Sequence, residues 1–192
     1  GRTHLQAYAH AAASGLACRL VAVCDRDPVS REGRAKVAGN LATGATEARL
    51  FDPSTVRAYA EADELLRDAE VHAVSICTHT PTHIELALAA LDAGKHVLVE
   101  KPVALRSSEV QRLARAARGA GRVVMPAMCM RFWPGWTWLK EAIASRTYGR
   151  VLSAVFRRLG SAPNWAPEFY GNPEQTGGVL FDMHLHDADF IR

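Results

Sequence analysis

No apolar stretch in the 192 residues approaches the ~20 that a membrane-crossing helix needs. Lysine and arginine never form a run, and the formal charge of +3 is weak and scattered. Without a basic stripe or basic–aromatic interleaving, a nucleic-acid partner is excluded. Cysteine is sparse and unpaired in pattern: Cys18, Cys24, Cys77 and Cys129 form no C-x-x-C. That argues against a disulfide framework or a thiolate zinc site, and for small buried thiols in a reducing, cytoplasmic setting. Internal repeats and low-complexity tracts are absent. There is no initiator methionine either. The chain starts at Gly1 in the middle of a motif and reads as a piece of a longer protein, which leaves open a lost export signal.

What is present is material for a core: 48% of residues are hydrophobic and 22% charged, a globular balance. Buried-strand runs alternate with helix-sized segments. An alanine-rich helix is expected over Thr3–Ser14, stopped by Gly15. A strand follows over Arg19–Cys24, then Asp27 as cap with Pro28 behind it, and a helix to about Ala38. A helix is expected over Glu61–Arg67 and a strand over Val71–Cys77. Thr80 would cap the next helix, with Ile84, Leu88 and Leu91 inward and Gly94 at its end. The strand Val97–Val99 comes next. Ser107 would cap a helix with Val110, Leu113, Ala114 and Ala117 inward, ended by Gly119 and Gly121. A last strand is expected over Val123–Met128.

Strands alternating with helices of this length mean βαβ units and a parallel sheet. From Arg131 onward the style changes to an aromatic, turn-rich segment and a helix to about Ser145. Val151–Arg157 reads as a strand, and residues 160–178 as loop. The division is therefore 1–128 and 129–192.

A dinucleotide fingerprint sets glycines before a helix, whose N-terminus receives a pyrophosphate, and an acid after the next strand for a ribose hydroxyl. Only Gly1 stands before the first helix here, followed by Arg2, and Asp25 ends the next strand. Asp25 could equally be a turn cap. Arg26 beside it would suit a 2′-phosphate, so NAD is preferred over NADP only modestly. The run Val97-Leu98-Val99 ends in Glu100-Lys101-Pro102. Proline stops a central strand, so Glu100 and Lys101 stand at a carboxyl strand end, the edge where open α/β sheets bind ligands.

Thr78 to Pro102 carries a T-H-T-P-T-H turn, then A-G-K-H-V and E-K-P. Gly1–His4 resembles the end of a glycine loop, Met130–Pro134 an R-F-x-P segment, and Gly177–Asp189 a G-G-x-L-x-D-x-G-x-H-x-x-D signature. Together, in this order and spacing, these motifs resemble the Gfo/Idh/MocA oxidoreductase family over nearly the whole chain. The resemblance implies a Rossmann-type doubly wound parallel sheet, with its first strand and first glycines outside this sequence. The start of an α/β domain with a mostly antiparallel sheet would follow. Two departures stand out: His79 where proline is usual, and His184 where glycine is usual.

The resemblance implies hydride transfer between NAD or NADP and a sugar, polyol or related substrate. His186 would be the general base, and Lys101 would bind the reacting oxygen. Asp182 would bind a substrate hydroxyl or position the His–Lys pair. Cofactor contacts fall on Gly1, Arg2, Asp25, Arg26, Thr78, Thr80, His83, Glu100 and Lys101. Substrate contacts fall on Lys101, Arg131, Trp165, Asp182 and His186. Glu100 and Asp189 read as structural. Trp133, Trp136 and Trp165 would line a sugar site or serve as packing. A dimer or tetramer is implied for the complete protein.

Three rivals remain. Asp182, His184 and His186, with Asp187 and Asp189, would face one side of a strand and could hold zinc or manganese for hydrolysis. An NAD-dependent glycosidase that retains its cofactor keeps the same residues, and so does a catalytically idle dinucleotide sensor.

Overall fold

A computed structural model describes residues 1–34, 49–159 and 166–192. The alternation of elements is as expected, with pairing partners setting the lengths. Helix α1 covers Arg2–Ala13, and Ser14 and the left-handed Gly15 (φ 82°) end it. Strand β1 is Ala22–Cys24, shorter than Arg19–Cys24 because its parallel partner β2, Arg57–Tyr59, offers only three residues. β2 was not expected; R-A-Y carries no run of apolar residues for sequence reasoning to find. Between them Asp27 caps α2, Pro28–Arg31, accepting from the Val29 and Ser30 amides with Pro28 in the first turn. The expected continuation of that helix to Ala38 falls outside the described residues.

Helix α3 is Ala62–Arg67, and β3 is Ala73–Ile76. Helix α4 runs over His83–Asp92 and β4 over His96–Val99. Helix α5 is Ser107–Ala120 and β5 is Val124–Pro126. All pairings are parallel, in a two-stranded sheet β1–β2 and a three-stranded sheet β3–β4–β5. Leu66, Ile76, Ile84, Leu91, Val97, Val99 and Leu113 form the core where α4 covers the second sheet, with α3 and α5 packed against α4. Each fully buried aliphatic side chain there contributes roughly 1.5–3 kcal/mol.

Several local expectations are corrected. Thr80 does not cap α4; itself buried, it opens a 3-10 turn, Thr80–Thr82, and Thr82 precedes the helix. Ser107 is the first residue of α5 rather than its cap, and Gly119 lies inside that helix. Val110 is 40% exposed, so the inward face of α5 centres on Leu113 with Ala116 and Ala117 beside it.

After β5 come a 3-10 turn, Cys129–Phe132, and α6, Pro134–Ala144. The expected strand Val151–Arg157 has no pairing partner among the described residues. Its backbone stays outside any ladder, with Leu152 82% and Val155 76% exposed. The described part of the expected loop 160–178 contains two short helices, α7 (Pro167–Tyr170) and α8 (Pro173–Thr176). Their prolines mark helix starts, where the missing N–H costs nothing, and Asn172 caps α8 by accepting from the Glu174 amide. A π-helical turn, Leu180–His184, leads into α9, Leu185–Ile191.

Because the strands within each sheet are parallel, the carboxyl ends of β3, β4 and β5 share one edge. Helix α1 starts at that edge, since His4 in its first turn bonds to Ser75 of β3 and to Glu100 after β4. A cavity of about 890 Å³ opens between the two sheets, lined by β1, β3 and the inner side of α1.

Candidate active site

β4 delivers Glu100 and Lys101 to the carboxyl edge, as the proline-terminated run requires. The Glu100 amide donates to the Ile76 carbonyl (3.0 Å), so the chain leaves the sheet only after Glu100. The Lys101–Pro102 peptide is cis. Beneath it lies His83, 1% exposed, its Nδ1 2.9 Å from the Pro102 carbonyl oxygen and its Nε2 3.0 Å from that of Thr78. His83 thus ties the threonine turn to the lysine loop. Both of the nitrogens of His83, expected among the cofactor contacts, are engaged by backbone carbonyls in this structure. Thr80 is likewise buried, whereas Thr78 stays exposed and accepts from the Thr82 hydroxyl (2.7 Å).

The π-helical turn brings the signature to Lys101. Lys101 Nζ donates to Asp182 Oδ1 (2.6 Å) and to the Asp182 carbonyl (2.7 Å), with both side chains mostly buried. One lysine held by two oxygens of one residue has a fixed direction, the kind of placement catalysis needs. His186 follows Asp182 by four residues and belongs to the same cluster. Burial, then the positive charges of Lys101 and Arg158, push its imidazole below the ordinary 6.5 against the pull of Asp182 and Asp187. His186 is therefore neutral at pH 7 and able to accept a proton. Its Nδ1 is buried with no hydrogen-bond partner among the described residues.

Asp182, His184 and His186 were expected on a strand in the metal reading. They lie on a helical turn and the start of α9 instead, and His184 is turned to Asp187. Its Nδ1 is 3.0 Å from Asp187 Oδ2, and Asp187, 5% exposed, also takes Arg158 (3.0 Å). Hydrogen bonds from Arg158 hold the Asp187 carboxyl below the usual range despite its burial. Among the described residues no three His, Cys, Asp or Glu side chains converge as metal ligands.

Arg131, expected at the substrate, pairs with Asp189 here: its guanidinium makes two bonds, of 2.6 and 2.5 Å. Trp136 packs edge-on to Phe190 (4.8 Å) and under Arg158 (5.6 Å), a packing role. Trp165 lies outside the described residues.

On the nucleotide side, Gly1 caps α1 and Arg2 opens it. Asp25 follows β1; its Oδ1 accepts from the Asp27 amide (2.9 Å), and Arg31 bonds the carbonyls of Asp25 and Arg26 (2.8 and 3.0 Å). The exposed turn at Asp25–Arg26 is thus pre-shaped. Gly1, Arg2, Asp25 and Thr78 line one cavity, so these residues fit a dinucleotide laid across it.

Sequence reasoning missed two groups. Burial, followed by the charges of Asp182 and Glu100, pushes the Tyr170 hydroxyl up to about 12, which places Tyr170 in the field of both carboxylates. His79, the departure from proline, stacks on Phe169 (4.6 Å, 22°) and links the threonine turn to α7. Nothing in the local sequence announces that long-range stack.

Residues 1–128 match the Gfo/Idh/MocA oxidoreductase family with an NAD-binding Rossmann fold, and residues 136–192 match its C-terminal domain. The chain is 37% identical over 131 residues to the 1,5-anhydro-D-fructose reductase of Ensifer adhaerens, covering 68% of this chain and 39% of that protein. It is 35% identical over 136 residues to the myo-inositol 2-dehydrogenase of Thermotoga maritima, covering 71% and 40%. The matched stretch is therefore about two-fifths of the length of those relatives. Among solved structures, a probable dehydrogenase from Thermotoga maritima superposes with a TM-score of 0.70 at 26% identity, over 95% of this chain and 50% of that one. With the NAD-binding half matched along its whole described length and the signature segment matched behind it, the chain belongs to the Gfo/Idh/MocA family of oxidoreductases.

Proposed function

We propose that the complete protein transfers a hydride between a nicotinamide cofactor and a sugar, polyol or related carbinol or carbonyl compound. The carrying observation is the clamp of Lys101 Nζ on Asp182 beside a neutral, partly buried His186. Bound nicotinamide would supply the hydride acceptor or donor. His186 takes the hydroxyl proton in the oxidation direction and returns it in the reverse. Lys101 stabilises negative charge growing on the same oxygen, and Asp182 fixes the ammonium's direction. The relatives named as a sugar-derivative reductase and an inositol dehydrogenase support this substrate class.

Gly1, Arg2, Asp25, Arg26 and Thr78 hold the nucleotide, with the free carboxylate edge of Asp25 favouring the ribose of NAD over NADP. The chain divides at 128/129. The cavity between β1 and β3, whose edges carry no ladder among the described residues, fits the first strand that the family resemblance implies. The unpaired pattern of the four cysteines suits a reducing, cytoplasmic setting, and the family resemblance implies a homo-oligomer for the working protein.

The test is titration of the full-length protein with NADH and with NADPH, read by tryptophan fluorescence, followed by a polyol screen. Saturable binding with NADH preferred is expected. Failure to bind either form would overturn the reading.

A further inference from the structure

The Lys101 loop is held from behind by a chain of polar side chains that no motif announces. His4 Nε2 lies 2.9 Å from Glu100 Oε1, with side chains 14% and 34% exposed. His4 Nδ1 lies 3.2 Å from Ser75 Oγ, which is 2.6 Å from the Tyr8 hydroxyl. The other Glu100 oxygen, Oε2, accepts from the Lys101 amide (3.0 Å). One carboxylate therefore joins the first turn of α1 to the backbone of the lysine whose head is clamped on Asp182.

The electrostatics agree with that geometry. The neighbouring Cys77 thiol, then the bond from Glu100, outweigh burial and push the His4 imidazole up from 6.5 to about 9. Burial pushes the Glu100 carboxyl up, yet the bonds from His4 and the Lys101 amide outweigh it and hold the carboxyl below its usual range. Both shifts favour the charged pair, an imidazolium facing a carboxylate in a half-dry site. A cation in the first turn of a helix is disfavoured by the helix dipole, so α1 alone gives no reason for His4 to be charged. Its partner supplies one.

We propose that His4 is a positioning residue for hydride transfer, acting through Glu100 on the Lys101 backbone. This rests on the function proposed above for Lys101. The Lys101 side chain is fixed at its tip by Asp182 and at its root by Glu100. Without His4, Glu100 can swing out to water and the root is released. A misplacement on the order of 1 Å at a reacting group can cost ~100-fold in rate.

The experiment compares His4→Phe, which keeps bulk without the bonds, and His4→Gln, which restores a neutral donor, in the full-length protein. Two readouts are taken: hydrogen exchange of the segment holding Lys101, and steady-state kinetics of the substrate found in the screen. In His4→Phe, exchange at Lys101 should speed up at least ~10-fold, and protection should largely return in His4→Gln. The kcat should fall at least ~10-fold in His4→Phe with KM changed less than ~3-fold, and His4→Gln should recover most of it. Adding Glu100→Gln to His4→Phe should lower kcat little further, because the two act in series. Unchanged exchange in His4→Phe would overturn the tie, whether or not the protein proves to be an oxidoreductase. Faster exchange with an unchanged kcat would reduce His4 to a structural residue and overturn the positioning role.

Discussion

The two halves of this chain are held together by different physics. Up to residue 128, stability comes from layers. Leu66, Ile84, Leu91, Val97, Val99 and Leu113 lie between helices and a parallel sheet, each under a tenth exposed. Beyond residue 128, Met130 is the one buried hydrophobic side chain among the described residues, while Leu152 and Leu159 are 82% and 95% exposed. That half is tied by ion pairs, Lys101 on Asp182, Arg131 on Asp189, and Arg158 with His184 on Asp187, beside an aromatic cluster of Trp136, Phe156 and Phe190. The reacting groups sit where the two regimes meet. A rigid sheet edge presents Lys101, and an ion-paired helical turn presents Asp182 and His186.

The sharpest break in that comparison removes the one pair that spans it. Lys101→Met leaves the layers intact and should lower kcat by about 10²–10⁴-fold, with cofactor affinity nearly unchanged. The same substitution removes the charge that helps keep His186 below 6.5. Its titration, followed by NMR, should therefore move upward in the variant. In the wild type, the acid limb of alcohol oxidation should lie below pH 6.5, because the base works only when neutral. A limb well above that value would contradict His186 as the base.

A second comparison sets a layer residue against an exposed one. Leu113→Ala opens a cavity in a packed core and should cost about 2–5 kcal/mol by denaturant unfolding. Leu152→Ala should change stability by no more than ~0.5 kcal/mol in this chain. A large loss at Leu152 would mean that its segment is covered rather than exposed.

The layered half was legible in the sequence because its physics is periodic. Val71–Cys77 and Val97–Val99 gave their strands from composition alone, and the glycines at 15, 94 and 121 marked turns that the left-handed backbone confirms. β2 was missed because three residues, R-A-Y, have no period. In the second half, the prolines at 167 and 173 read as loop but open helices, and the Asp182–His186 alternation read as strand but coils. Pairings such as Arg131–Asp189, His4–Glu100 and His79–Phe169 join residues 58, 96 and 90 apart. No local pattern encodes such partners. Resemblance to the family located Lys101, Asp182 and His186, yet it supplied no reason for the direction of each side chain.

The layers also hold a charged tie of their own, and pH separates it from the rest. His4 is raised from 6.5 to about 9, so its charged form is favoured by folding. That contribution is complete below about pH 6.5 and drains away as pH climbs through about 9. Glu100, held low, contributes above its ordinary 4.5 and loses its share as pH falls beneath it. The groups facing His4 are Ser75, Tyr8, Cys77 and Glu100, with Lys101 behind Glu100. Between about pH 7 and pH 10 the urea midpoint should fall more for the wild type than for His4→Phe. Equal slopes would mean that the imidazole carries no net charge in the folded chain.

The smallest effect asks whether the second half's ion pairs are structural at all. Arg131 is 63% exposed while Asp189 is 16% exposed. Arg131→Ala should cost about 1 kcal/mol or less, since water takes over most of what the guanidinium did. Asp189→Asn, which keeps shape and removes charge, should cost a similar amount if the pair is the point. The informative quantity is the substrate KM of the full-length protein. A guanidinium committed to Asp189 predicts a KM within ~3-fold of wild type in both variants. A rise of ~10-fold or more in Arg131→Ala alone would show that the arginine leaves Asp189 to hold substrate, and the second half would then be ordered by its ligand as well as by its charges.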